Sequence, residues 1–162
     1  MKKLTVCLLC LLLLAACGKP SPTVIAGDAE ESEAAYFDVG RPITAQTTLG
    51  DEAVTCKALQ NDGGVYGFEM RFRQTEAVDA LLCDPENVYF GVLETGKDKL
   101  AVPMEEIRIL PDVTTNEFVL TLLVPQGETL SAGKCTVAFY IAAQSGDAGE
   151  ALFCAKKTAA LS

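Results

Sequence analysis

The sequence predicts an all-β fold: an antiparallel β-sandwich of seven to eight short strands, spanning residues 36–162 and set behind a leader and a flexible tether. Three observations predict it. From Tyr36 onward apolar residues recur with period two, the repeat of a strand with one face in a core. Clusters of Gly, Asn, Asp and Pro interrupt that pattern at short intervals. There is no regular exchange of extended and helical segments of the kind that builds a parallel sheet.

The elements follow in order. Val54, Cys56 and Ala58 alternate with Thr55 and Lys57. Asn61-Asp62-Gly63-Gly64 then supplies residues that tolerate positive φ, and Tyr66, Phe68, Met70 and Phe72 alternate with Gly67, Glu69, Arg71 and Arg73. This is the clearest hairpin, with four large apolar side chains on one face and charges on the other. Residues 74–82 hold the one stretch with a helical turn, placing Ala77, Leu81 and Leu82 on one side. Residues 87–94 are aromatic and β-branched and read as a strand, closed by the turn Thr95-Gly96-Lys97-Asp98. Residues 100–102 and 107–110 are short extended pieces, and Pro103 excludes a central strand between them. Residues 117–124 form a nearly continuous apolar run, which β-branching and Pro125 assign to a strand rather than a short helix. Cys135, Val137, Phe139 and Ile141 share a face; residues 144–149 turn the chain, and residues 150–157 return as the last strand.

Four cysteines, Cys56, Cys83, Cys135 and Cys154, lie in this body. Val54-Thr55-Cys56-Lys57-Ala58 and the later Cys135 on an alternating strand resemble the paired cysteine strands of immunoglobulin-like sandwiches, which implies that topology. The chain departs from the pattern in having no Trp between the two, and Gly133 where a corner Tyr is expected. Four cysteines in an exported domain allow three disulfide connectivities. Cys56 with Cys135 and Cys83 with Cys154 is the preferred pairing. If the last two strands pair across residues 144–149, Cys154 falls opposite Phe139, which argues against a Cys135–Cys154 bridge. A metal or redox centre lacks support, because there is no Cys-x-x-Cys and no His.

The N-terminus carries the address. Lys2 and Lys3 precede an apolar run over residues 4–14, with Ala15 and Ala16 after it, the layout of an export signal. The run is too short to cross a bilayer, which takes roughly 20 residues. Leu14-Ala15-Ala16-Cys17 resembles the lipobox of bacterial lipoprotein precursors. The resemblance covers residues 1–17 and implies a signal peptide over 1–16, cleavage before Cys17, and acyl chains on Cys17 that hold the protein to a membrane. Gly18, in place of the Asp that marks inner-membrane retention, favours the outer membrane where the organism has one. Residues 17–35 read as the lipidated Cys followed by an acidic tether rich in Pro and small residues.

Composition narrows the function. Without the two signal lysines the mature chain carries 11 basic and 22 acidic residues, 11 minus 22, or −11. Such a surface repels nucleic acid and anionic lipid, so no nucleic-acid partner is expected and a lipid anchor must supply membrane residence. The absence of His removes the commonest general base and metal ligand, and neither cofactor nor metal is expected. Asp84 with Glu86, and Glu105 with Glu106, are the carboxylate pairs that a glycosidic hydrolase would need in one cleft; on an extended chain Glu105 and Glu106 point apart and read as solvated surface. Asp62-Gly63-Gly64 offers backbone N–H groups to an anion but is explained by the hairpin turn. Glu69, Arg71 and Arg73 form either a recognition patch or cross-strand ion pairs. The expected function is a non-enzymatic binding or assembly module of the cell envelope, meeting another envelope protein. The alternative is a small-ligand carrier or protein inhibitor, and an envelope hydrolase ranks last.

Overall fold

The structure, a computed structural model, describes residues 23–25, 36–96, 98–130, 133–147 and 149–161. The export signal and Cys17 lie outside the described residues. Within the segment read as a tether, β1 (Thr23–Ile25) pairs antiparallel with β2 (Tyr36–Asp38). The body is the predicted sandwich, built of nine strands among the described residues. One sheet has the order β3-β11-β10-β6-β7, formed by Thr44–Leu49, Glu150–Leu161, Gly133–Ala143, Asn87–Thr95 and Asp98–Val102. The other runs β4-β5-β9-β8, formed by Val54–Asn61, Gly64–Arg73, Glu117–Leu123 and Ile107–Asp112.

This is the immunoglobulin arrangement. β4-β5-β9-β8 takes the A-B-E-D order, and β11-β10-β6-β7 takes G-F-C-C′. β3 is added to the outer edge, parallel to β11. The short helix α1 (Glu76–Cys83) fills the connection between β5 and β6. It begins at Thr75, whose Oγ1 accepts the Val78 N–H at 3.3 Å, and it carries Glu76 and Asp79 in its first turn. Both features satisfy the electropositive end of a helix.

Two readings change. Seven to eight strands become nine because β3, Thr-Ala-Gln-Thr-Thr-Leu, is mostly exposed and shows no apolar period. It is held by backbone pairing to β11, with the Thr44 N–H donating to the Gly149 carbonyl at 2.9 Å. The register of the final pair is also one residue off the expected one. Cys154 stands opposite Tyr140, and Phe139 stands opposite Ala155. A one-residue slip turns a side chain to the other face of its sheet, and the consequences reach every residue of β11.

The core between the sheets is aromatic. Phe72 on β5 has its ring centroid 5.8 Å from Phe118, 6.3 Å from Phe139 and 5.5 Å from Phe153, so rings from four strands meet. Phe68, Met70, Leu120, Leu122, Val137 and Ile141 are wholly buried around them. β6 is aimed into this layer by Tyr89, Gly91 and Leu93. A Cβ on Gly91 would stand 2.6 Å from Leu122 Cδ2 of the facing sheet and 3.0 Å from Val102 Cβ of the neighbouring strand, so a larger residue there must displace one or both.

Candidate binding site on the outer sheet face

An antiparallel sandwich usually gives its outer faces to water. The five-stranded sheet does not. Its strands β6 and β10 are apolar on both faces: Val88, Phe90 and Val92 stand opposite Ala142, Tyr140 and Ala138, and all six look away from the inter-sheet core. The Phe90 and Tyr140 rings stack at 5.2 Å with 16° between their planes. Cys154 continues that row on β11. Residues 39–43 lie across this second layer. Val39, 2% exposed, and Ile43 pack on it from the segment that follows β2, while Ala101 and Met104 close its β7 side.

The layer turns polar toward one end. One cross-strand row reads Lys99–Glu94–Thr136–Thr158, and the next reads Ala101–Val92–Ala138–Lys156. Between these rows and the covering segment is a cavity of about 30 Å³, room for a water-sized group or two. Val92 and Ala138 form its floor, Val39 and Ile43 cover it, and Arg41, Lys99 and Lys156 stand around it with Glu94, Thr136 and Tyr140. Lys99 and Lys156 belong to strands three spacings apart, roughly 14 Å, so their long side chains reach over the intervening strands to line the same space. The Tyr140 hydroxyl lies within hydrogen-bonding reach of the Cys154 thiol, and burial raises its pKa, so it remains a donor. Thr136 Oγ1 shares a 3.0 Å hydrogen bond with Thr158 Oγ1. A wider groove of about 380 Å³ opens at the other end of β3 and β11, with Asp147 and Glu150 as its charged lining.

The residues singled out from sequence fall elsewhere. All four described cysteines are free thiols. Cys56 is not on the B-position strand that the immunoglobulin comparison expected. It is on β4, in the A position, opposite Met70 on β5. It looks into the inter-sheet core, as does Cys135 on β10, near enough for a thiolate at Cys135 to disfavour one at Cys56. The slipped register puts Cys154 in the outer layer, on the opposite face of the sheet from Cys135. The expected Cys83–Cys154 pair is also unformed. Cys83 is exposed at the end of α1, a helix whose Val78, Leu81 and Leu82 pack into the inter-sheet core rather than the outer layer. Burial first of all pushes Cys56 up to about 12 and Cys135 and Cys154 up to about 11, so the three stay protonated at neutral pH and are poor nucleophiles.

The acidic candidates are structural. Glu105 and Glu106 sit in a single 3₁₀ turn, Met104–Glu106, rather than on an extended strand. Asp84 ends α1, and its Oδ1 accepts the Glu86 N–H at 2.9 Å, so this pair shapes the turn into β6. No group of three or more Cys, Asp or Glu side chains suited to a metal ion occurs among the described residues. The Gly63 N–H donates to Asn61 Oδ1 at 2.8 Å, and Gly64 takes a φ of 107°, so the glycine cluster forms the tight turn between β4 and β5. On the outer face of the four-stranded sheet, Glu69 joins Lys57 and Arg71 at 3.0 Å each, and Arg71 reaches Asp112 at 3.4 Å and Glu117 at 3.8 Å. This ladder across four strands resolves the Glu69 and Arg71 alternatives in favour of cross-strand pairing. The Arg71 hydrogen bond holds the Glu69 carboxyl below its usual range, and backbone N–H donation from Thr114 does the same for Asp112.

Arg41, Lys99, Lys156 and Glu94 were not legible as a site, since they come from four separated segments that only strand register brings together. A usable signal was present in the run 135–143, where both alternating sets, Cys135-Val137-Phe139-Ile141 and Ala138-Tyr140-Ala142, lack charge. A strand of that kind is buried on two faces and calls for a second covering layer. No family model, no curated protein and no solved structure matches this chain.

Proposed function

We propose that this chain is a lipoprotein of the cell envelope, anchored through acyl chains on Cys17, whose sandwich is a non-enzymatic binding or assembly module for another envelope component. The anchoring part rests on the Leu14-Ala15-Ala16-Cys17 ending behind a basic and apolar leader. The binding part rests on one observation above the others: a second layer on the outer sheet face that ends in a cation-lined cavity, in a chain of net charge −9. Charged side chains gathered over an apolar floor are the composition of a recognition site. The alternative of a carrier that holds its ligand between the sheets is disfavoured by the aromatic packing that occupies that space.

The test combines membrane fractionation with mild crosslinking of the tagged full-length protein in a bacterial host fed labelled palmitate. The wild type incorporates label, sediments with membranes, and repeatedly captures the same envelope component. Cys17→Ser abolishes labelling and releases the protein from the membrane fraction. Membrane residence unchanged by that substitution, or capture of nothing reproducible, contradicts the proposal.

A further inference from the structure

Resting on the reading of the sandwich as a binding module, we infer that the cavity on its outer face is a site for a single oxyanion, a carboxylate or a phosphate group carried by the bound component. Among the described residues, Lys99 and Lys156 line the cavity with one carboxylate, Glu94, and with Arg41, which has an interaction of its own. This local excess of positive charge occurs in a chain with 22 acidic and 13 basic residues, where a random patch of surface is negative. Lys57, Arg71 and Lys157 spend their charge on carboxylates of the fold. Lys99 and Lys156 form no ion pair among the described residues, although Glu94 is directly opposite Lys99 in the ladder. An anion held between Lys99 and Lys156 gains a charge-assisted hydrogen bond from each.

The rest of the cavity suits the same guest. Tyr140 also lines it, with its hydroxyl within hydrogen-bonding reach of Cys154. Val92 and Ala138 at the floor exclude water from below and lower the local dielectric, which strengthens each contact with an anion. A volume of about 30 Å³ admits a terminal carboxylate or the outer oxygens of a phosphate, but not a larger body.

The experiment follows amide chemical shifts of the ¹⁵N-labelled, lipidated full-length protein in nonionic detergent micelles. Sodium acetate, sodium phosphate and sodium chloride are titrated in parallel at constant ionic strength. The expected result is a saturable shift of Thr136, Ala138 and Lys156 with acetate or phosphate and none with chloride; the responding salt identifies the carboxylate or phosphate chemistry. Lys99→Gln with Lys156→Gln weakens that response by about tenfold, the loss of one to two charge-assisted contacts. Both lysines are exposed, and the single variants give the same reading if the double one folds poorly. Lys57→Gln, on the other sheet, leaves the response intact. Absence of a saturable shift, an equal response to chloride, or a response indifferent to both lysines overturns the inference. Because no partner is present in the tube, that outcome leaves the crosslinking result untouched, and the two proposals fail separately.

Discussion

The chemistry of the four described cysteines is set by which face of a sheet each one meets. Cys56 and Cys135 look into the inter-sheet core, Cys154 looks into the outer layer, and Cys83 is in solvent. Brief exposure of the reduced native protein to a neutral alkylating agent therefore modifies Cys83 ahead of the other three, which react only after unfolding; peptide mass spectrometry reads the order, and simultaneous labelling of all four contradicts it. The same burial predicts a pH dependence. The half-buried Cys56 and the buried Cys135 and Cys154 keep their protons in the folded state to about 11 or 12, from an ordinary value of 9.0. The unfolded chain releases those protons first, so the stabilisation is whole below about pH 9 and drains away as pH rises beyond it. Urea midpoints are expected to fall between about pH 8 and about pH 10, and more steeply in the wild type than in a variant with Cys56, Cys135 and Cys154 replaced by Ala. Equal slopes contradict the assignment. The sequence argued against a Cys135–Cys154 bridge from a register that placed Cys154 opposite Phe139, whereas the structure places it opposite Tyr140. An error of one position in the β10–β11 register moves Cys154 from one side of its sheet to the other.

Strands announced themselves where one face was apolar and the other charged. β5 was legible because Phe68, Met70 and Phe72 alternate with Glu69, Arg71 and Arg73, and the structure places those two sets on opposite faces. β9 was legible as a β-branched apolar run closed by Pro125, and the structure turns Phe118, Leu120 and Leu122 into the core. β3 was not, since its six residues bury little and its contribution is made by backbone groups that any sequence carries. β8 was legible only as a short extended piece; the structure makes it an edge strand, where Pro111 is tolerated and Leu110 is 65% exposed. β6 required a glycine for a reason that only the packed pair of sheets reveals. Gly91→Ala forces its new methyl against Leu122 and against Val102, whose contact atom is a Cβ and cannot swing away. Overpacking of this kind costs about 1–3 kcal/mol, and chemical denaturation of the variant against wild type measures it; a loss under about 0.5 kcal/mol means that the sheets adjust freely.

For the whole chain, charge, tether and sandwich belong to one picture. The body carries a strong negative excess, and its cross-strand ladder at Lys57, Glu69, Arg71 and Asp112 consumes cations on the outer face of one sheet. Its opposite broad face brings Lys99 and Lys156 over an apolar layer. Such a surface has no general attraction for anionic lipid, so under the proposed function residence at a bilayer falls to acyl chains on Cys17. Intact-mass and N-terminal peptide mass spectrometry of the protein extracted from its native membranes tests this most directly. The predicted result is a polypeptide beginning at Cys17 and carrying acyl chains; a chain that retains Met1, or begins elsewhere with Cys17 unmodified, contradicts it.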